Sequence, residues 1–167
     1  RQGKALYVGI SKYPKEAAEF AYKYLAERDV HCLLYQGKYN LFNREPEEEG
    51  ILRQAKENGT GFIAFSPLAQ GLLTNRYLNG IPEDSRMARG GFLKKEQLTE
   101  DVLSKIKALN KMAEERGQTL AEMALAWVLK DDLVTSVIIG ASSVAQLEDN
   151  LKAIRNTSFT KEELRRL

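Results

Sequence analysis

The chain has 167 residues, 43% hydrophobic and 29% charged, enough for one domain with a buried core and ordinary for a soluble globular protein. Its net charge of +2 gives no reason to expect a nucleic acid or a membrane surface as partner, and no apolar run reaches the length of a membrane span or has the form of a signal peptide. The single cysteine, Cys32, excludes an internal disulfide and suits a reducing compartment, so a cytoplasmic protein is expected.

Ala5-Leu6-Tyr7-Val8-Gly9-Ile10 is short and mostly apolar and predicts a buried parallel strand. Pro14 suits the first turn of a helix, and Ala17, Phe20, Ala21, Tyr24 and Leu25 recur at helical spacing and predict its apolar face. His31 through Gln36 predicts a second strand. Glu47, Glu48 and Glu49 put negative charge at the start of the next helix, where the dipole favours it. Ile51, Leu52 and Ala55 supply the buried face of that helix, and Gly59 ends it. Gly61 through Ser66 predicts the third strand.

A long irregular stretch follows, from Pro67 to about Leu98, with Gly71, Gly80, Pro82, Gly90 and Gly91; connections this long are usually functional or mobile. Thr99 can cap a helix whose inner face is Leu103, Ile106, Leu109 and Ala113 and which stops near Gly117. Thr119-Leu120-Ala121-Glu122 is a capping box that opens a helix through Leu129. Val134 to Ile139 predicts the fourth strand, Ser143 to Gln146 caps the following helix, and Thr160-Lys161-Glu162-Glu163 is a last capping box. Alternation of strands and helices predicts a parallel sheet with helical crossovers, either open and doubly wound or part of a barrel. The absence of G-x-G-x-x-G after the first strand weighs against the dinucleotide-binding version of the open sheet.

Chemistry in such folds collects where strands end. Ser11, Gln36 and Ser66 close or follow the first three strands, and Gly140 and Ser142 follow the fourth. Any one of them alone reads as a turn or cap; four matched positions favour a site. Gly140-Ala141-Ser142 before a helix is a plausible phosphate seat. Gln146 either completes a capping box with Ser143 or faces a ligand, and capping is favoured on the residues alone. Phe65 could stack on a planar ring but reads first as core. Arg76 and Arg86 in the long stretch could fork onto a phosphate, although most loop arginines are solvated. The one histidine, His31, sits at the wrong end of its strand for catalysis, and no metal-ligating or nucleophile motif is present.

Three stretches go beyond pattern: Tyr7 to Tyr13 (Y-V-G-I-S-K-Y), Phe65 to Tyr77 (F-S-P-L-A-Q-G-L-L-T-N-R-Y), and Ile139 to Ser142 (I-G-A-S) with Gln146 to Asn150. They resemble the fifth, seventh and eighth strand regions of an aldo-keto reductase, and Gln36 with Tyr39-Asn40-Leu41-Phe42 resembles the sixth. Ile81 to Arg86 is similar to the branch that holds glyceraldehyde 3-phosphate reductases and voltage-gated potassium channel β subunits. The resemblance covers essentially the whole chain. It implies about half of a parallel (β/α) barrel of TIM type: four βα units, strands 5–8 of a parent barrel, with a long loop and an extra helix before the last strand. Residues 1–167 would form a single fragment, in keeping with a chain that opens on Arg1-Gln2-Gly3 and not on methionine.

The resemblance also implies an NADPH site and a small carbonyl substrate. Ser11 and Gln36 would hold the nicotinamide carboxamide and Phe65 would stack on the ring. Ser66, Pro67, Leu68, Ala69 and Gly71 would wrap the pyrophosphate, with Arg76 and Arg86 over the phosphates and the adenosine end. Gly140, Ser142, Gln146, Asp149 and Asn150 would bind the adenosine and its 2′-phosphate. Lys12 stands where many members have asparagine, and Asp149 where glutamate is usual. The family's catalytic Asp, Tyr, Lys and His all lie upstream of Arg1, so no catalytic residue is expected here and the chain by itself is expected to be inactive. Its parent would reduce aldehydes or ketones, or serve as a nucleotide-binding regulatory subunit; a half-barrel isolated on purpose, to ask whether it folds and assembles, is the third reading. Half a barrel leaves strand edges open, so pairing with the missing N-terminal half, or homo-oligomerisation, is expected.

Overall fold

The structure, a computed structural model, describes residues 3–83, 85, 87–88, 90 and 93–167. All four predicted strands form: β1 (Val8–Ser11), β2 (Cys32–Lys38), β3 (Gly61–Phe65) and β4 (Ser136–Ile138). They make one sheet in the order β1-β2-β3-β4, every pair parallel. The outer two are shorter than their apolar runs. Among the described residues each has a single hydrogen-bonded neighbour, and Leu6 and Tyr7 lie outside β1, at 91% and 71% exposure. Among the described residues no helix is long and apolar enough to cross a membrane.

The chain divides into two compact units, residues 1–67 with 131–139 and residues 68–130 with 140–167. The first holds the sheet. In-register partners of a parallel pair point to the same face, so Ile10, Tyr35 and Phe62 form one buried row, and Gly37 and Ala64 are buried in the next. Tyr35 stacks on Phe62 at 5.4 Å between centroids, and Tyr39 meets the Phe62 edge at 6.4 Å. Gly37 is required here, because a Cβ would sit 2.6 Å from Cζ of Phe62.

Helix α1 (Lys15–Ala26) starts after Pro14, which takes the cap position. Its buried residues are Ala18 and Tyr22, with Ala21 and Leu25 half-buried. Phe20 and Tyr24, predicted to face inward, are exposed at 70% and 46%. The helix carries two apolar stripes, and the predicted set mixed them: at 100° per residue, 18, 21, 22 and 25 share one side, while 20 and 24 lie opposite. Phe20 and Tyr24 stack on each other at 6.0 Å, and Arg28 lies over the Tyr24 ring at 3.6 Å. The glutamates predicted to start the next helix fall around a separate turn, α2 (Glu45–Glu48), opened by Pro46 and followed by Gly50 before α3 (Ile51–Glu57). Ile51, Leu52 and Ala55 are buried as predicted. Gly59, at φ +65°, lets its own N–H reach Lys56 O and that of Thr60 reach Ala55 O, which ends α3.

The second unit holds α4 (Glu100–Glu115), α5 (Leu120–Val128), α6 (Val144–Leu151) and α7 (Lys161–Arg166). The capping boxes at Thr119 and Thr160 form with both hydrogen bonds, and Thr99 caps α4 through Val102 N–H. The long irregular stretch has its own anchors. Leu72, Tyr77, Met87 and Leu93 are buried in one cluster with Ile106, Met112, Leu120 and Met123. Burial of that kind ties a connection down by the same apolar transfer that holds helices together.

Arg116 fastens the C-terminal segment. Its side chain is 5% exposed and donates to Glu163 Oε1 at 2.6 Å, Gln118 Oε1 at 2.9 Å and Ser158 O at 3.0 Å, while its guanidinium lies 3.7 Å from the Phe159 centroid. The Thr160 N–H, followed by Arg116, holds the Glu163 carboxyl below the usual glutamate range. Arg116→Ala should therefore cost about 2–3 kcal/mol, read as a shift in the urea midpoint with the slope unchanged. A carboxyl whose folded pKa is depressed stabilises at pH above its unfolded value and loses that contribution as pH falls through the folded value. The stability gap between wild type and Glu163→Gln should be constant at neutral pH and shrink in acid below the ordinary carboxylate range; a pH-independent gap would show that the charge is not what Glu163 contributes.

Candidate functional site

Opposite the buried rows, the sheet turns a second face outward. Ser11, Gln36, Ile63 and Ser136 form one in-register row, and Lys38, Phe65 and Ile138 the row at the strands' C-terminal end. Gln36, Ile63 and Phe65 are half-buried and the rest exposed. The expected carboxamide pair, Ser11 and Gln36, is thus adjacent by strand register alone, and the expected ring-stacking Phe65 points to the same side one row further. Tyr7, Gly9, Ser11, Leu34 and Gln36 line a hollow of about 290 Å³ on this face. A larger cleft of about 550 Å³ opens among the β1–α1 and β2–α2 loops, where Lys12, Lys15 and Lys38 face Glu16, Glu45 and Glu49. The smaller hollow is the one that carries the predicted pair.

Backbone conformation marks the same strand ends. Lys12, directly after β1, has φ 58°, and Ser66, directly after β3, has φ 54°. Left-handed conformations are rare for residues other than glycine, and asparagine tolerates them best. Asparagine would therefore sit at the Lys12 position with less strain than lysine does. The Lys12 N–H donates to Gln36 O at 2.9 Å, and the Tyr35 hydroxyl donates to Tyr13 O at 2.5 Å, fixing the β1–α1 turn from the second strand. Burial, with Glu45 and Glu49 nearby, pushes the Tyr35 phenol up, so it stays a donor at physiological pH. Pro67, buried, completes the first unit's share of the expected site.

In the second unit the predicted pyrophosphate residues form one tight turn. Leu68 precedes a 3-10 turn, Ala69–Gly71, in which Ala69, Gln70 and Gly71 have φ of 46°, 60° and 105°. Successive left-handed residues can present backbone N–H groups to an anion, and strained backbone of this kind concentrates at functional sites. Gly71 O accepts from Thr74 Oγ1 at 2.7 Å, and Thr74 Oγ1 accepts from the N–H of Arg76, which is half-buried. Before α6, Gln146 does neither of the two things predicted in pure form. Its backbone N–H donates to Ser143 Oγ, but its own Oε1 accepts from the N–H and hydroxyl of Ser142, at 2.8 and 2.9 Å. Ser142 and Gln146 are thereby one unit beside exposed Gly140. Asp149 is engaged by Lys152 at 2.6 Å, both exposed, and Asn150 is half-buried. Arg86 lies outside the described residues.

The sequence profile of the aldo/keto reductase family matches residues 1–167. The chain is 51% identical, over 98% of its length, to an L-glyceraldehyde 3-phosphate reductase of Escherichia coli O157:H7, and covers 49% of that protein. It is 37% identical, over 92% of its length, to a probable voltage-gated potassium channel subunit beta of Arabidopsis thaliana, covering 48% of it. A crystal structure of a thermostable aldo-keto reductase with the inhibitor epalrestat superposes at a TM-score of 0.66 with 25% identity, over 95% of this chain and 46% of that one. The chain spans about half the length of the relatives it matches. It belongs to the aldo/keto reductase family.

Proposed function

We propose that this chain is the C-terminal, NADPH-binding half of a barrel reductase, strands 5–8 of its parent, and that the whole protein reduces aldehydes or ketones to alcohols in the cytoplasm. The observation that carries the reading is the open row on which strand register sets Ser11 beside Gln36, with Phe65 one row on. A nicotinamide offers a carboxamide and a flat ring. A hydroxyl and an amide match the first, and an aromatic face matches the second. The left-handed turn at Ala69 to Gly71 fits a pyrophosphate, with Ser66, Pro67, Leu68 and the Arg76 and Arg86 guanidiniums as further contacts. Gly140, the Ser142–Gln146 pair, Asp149 and Asn150 would take the adenosine end, Asp149 exchanging Lys152 for the ligand.

NADPH would supply the hydride; these residues hold its ring against the carbonyl and shield that face from water. The proton would come from the upstream Asp, Tyr, Lys and His set, so this half alone does not turn over. The exposed Ser136, Ile138 and Lys38 of these two rows, and the strand edges at β1 and β4, would be covered by the N-terminal half or by a second copy of the chain. Identity is higher to the reductase than to the channel subunit, which favours enzyme over regulator.

Fluorescence titration of the 167-residue chain should show NADPH binding, weakened about tenfold by Gln36→Ala, the equivalent of one hydrogen bond at about 1.4 kcal/mol. Equal affinity would remove Gln36 from the carboxamide site. The same chain incubated with glyceraldehyde 3-phosphate should oxidise no NADPH, and measurable oxidation would mean that a proton donor lies within it. Lys12→Asn should raise stability by about 0.5–1 kcal/mol through relief of the left-handed backbone, seen as a higher melting temperature; no change would mean that the Lys12 turn is unstrained.

A further inference from the structure

Ser66 is disfavoured twice. Its φ of 54° is left-handed, and it precedes Pro67, whose ring restricts the conformation of the residue before it. The peptide that joins them also lacks an N–H, so the Ser66 carbonyl is the only hydrogen-bonding group by which that peptide plane can be held. Asn40 holds it. The side chain of Asn40 is fully buried, at 0% exposure. Its Nδ2 donates to Ser66 O at 2.9 Å, and its Oδ1 accepts the Phe42 N–H at 2.9 Å. The Asn40 backbone is fixed in turn by a reciprocal pair with Asn43, at 3.1 and 3.0 Å, and the Tyr39 N–H donates to Phe65 O at 3.4 Å.

We propose that Asn40 is a positioning residue for nucleotide binding: it locks Ser66 in its strained conformation and so sets Ser66 and Pro67, the first unit's share of the pyrophosphate contacts. The inference rests on the NADPH reading above. The site demands a donor at one end and an acceptor at the other within one short side chain. Alanine supplies neither. An aspartate carboxylate would set oxygen against the Ser66 carbonyl in a buried place, whereas the neutral acid reproduces both bonds, its O–H donating to Ser66 O and its carbonyl accepting from Phe42. Burial and the facing carbonyl both favour that neutral form.

The test is NADPH affinity of wild type, Asn40→Ala and Asn40→Asp, each checked for fold by circular dichroism, from about pH 9 to about pH 5.5, with every variant referred to wild type at the same pH. The expected result is a loss of about tenfold or more in Asn40→Ala at all pH, and a loss in Asn40→Asp at high pH that recovers on acidification. A folded Asn40→Ala with wild-type affinity overturns the proposal, and so does an Asn40→Asp whose affinity tracks wild type or stays low throughout. If Asn40→Ala does not fold, the pH profile of Asn40→Asp decides alone. If wild type itself binds no NADPH, the nucleotide reading fails separately, and hydrogen exchange at Phe65 and Ser66 decides the positioning role: faster exchange in Asn40→Asp at high pH than at low, relative to wild type, supports it, and unchanged exchange overturns it.

Discussion

Parallel strand register is the constraint on which the candidate site depends. Pairing Ser11 with Gln36, Gln36 with Ile63, and Lys38 with Phe65 needs no side-chain interaction. Backbone hydrogen bonds set it, and the buried rows on the opposite face keep it from slipping. A slip of one residue in β2 would turn Tyr35 outward and Gln36 into the space against Phe62, losing the aromatic stack and burying an amide. The open face therefore inherits its precision from the closed one. The polar groups that would contact a ligand contribute little to holding themselves in place, which leaves them free to be chosen for chemistry.

The family relationship and the half-length coverage give the open face a physical context. The first unit's four-stranded parallel sheet has one buried face and one partly wet one, whereas parallel sheets are generally covered on both. Here Gln36, Ile63 and Phe65 are only half-buried and Ile138 is 46% exposed. On α6 and the turn that follows it, Val144, Leu147, Leu151 and Ile154 are also exposed, at the spacing of a helical stripe. Exposed apolar surface of this extent commonly marks a place where another surface docks.

Much of this was readable in the residues because the informative signals are local. The strands announce themselves as short apolar runs, and Thr99, Thr119 and Thr160 cap the helices expected of them. The motif stretches mark the strand ends where Ser11 and Ser66 lie, whereas Gln36, expected to close its strand, lies two residues inside it because pairing with β3 carries β2 on to Lys38. Local signals failed where two solutions were equally periodic. Helix α1 has apolar residues on two sides, and only contact with the rest of the first unit selects Ala18 and Tyr22 over Phe20 and Tyr24. The acidic run was split because Pro46 and Gly50 create two short helices in place of one. Asn40 stood among the residues that carried the family resemblance, but its task depends on Ser66, 26 positions away, and on a left-handed backbone that no composition or period reports.

The junction of Ser66 with Pro67 has a consequence for how this sequence can drift. A left-handed residue before proline is tolerable while a buried amide elsewhere holds its carbonyl. Loss of that amide alone leaves a strained peptide without its restraint, and a glycine at 66 alone removes the need for the restraint without removing the buried amide that provides it. Neither single step leads smoothly to a new arrangement. Positions 40 and 66 should thus behave as a linked pair among diverging relatives, changing together or not at all, although they lie on separate loops and share no charge, size or periodic pattern.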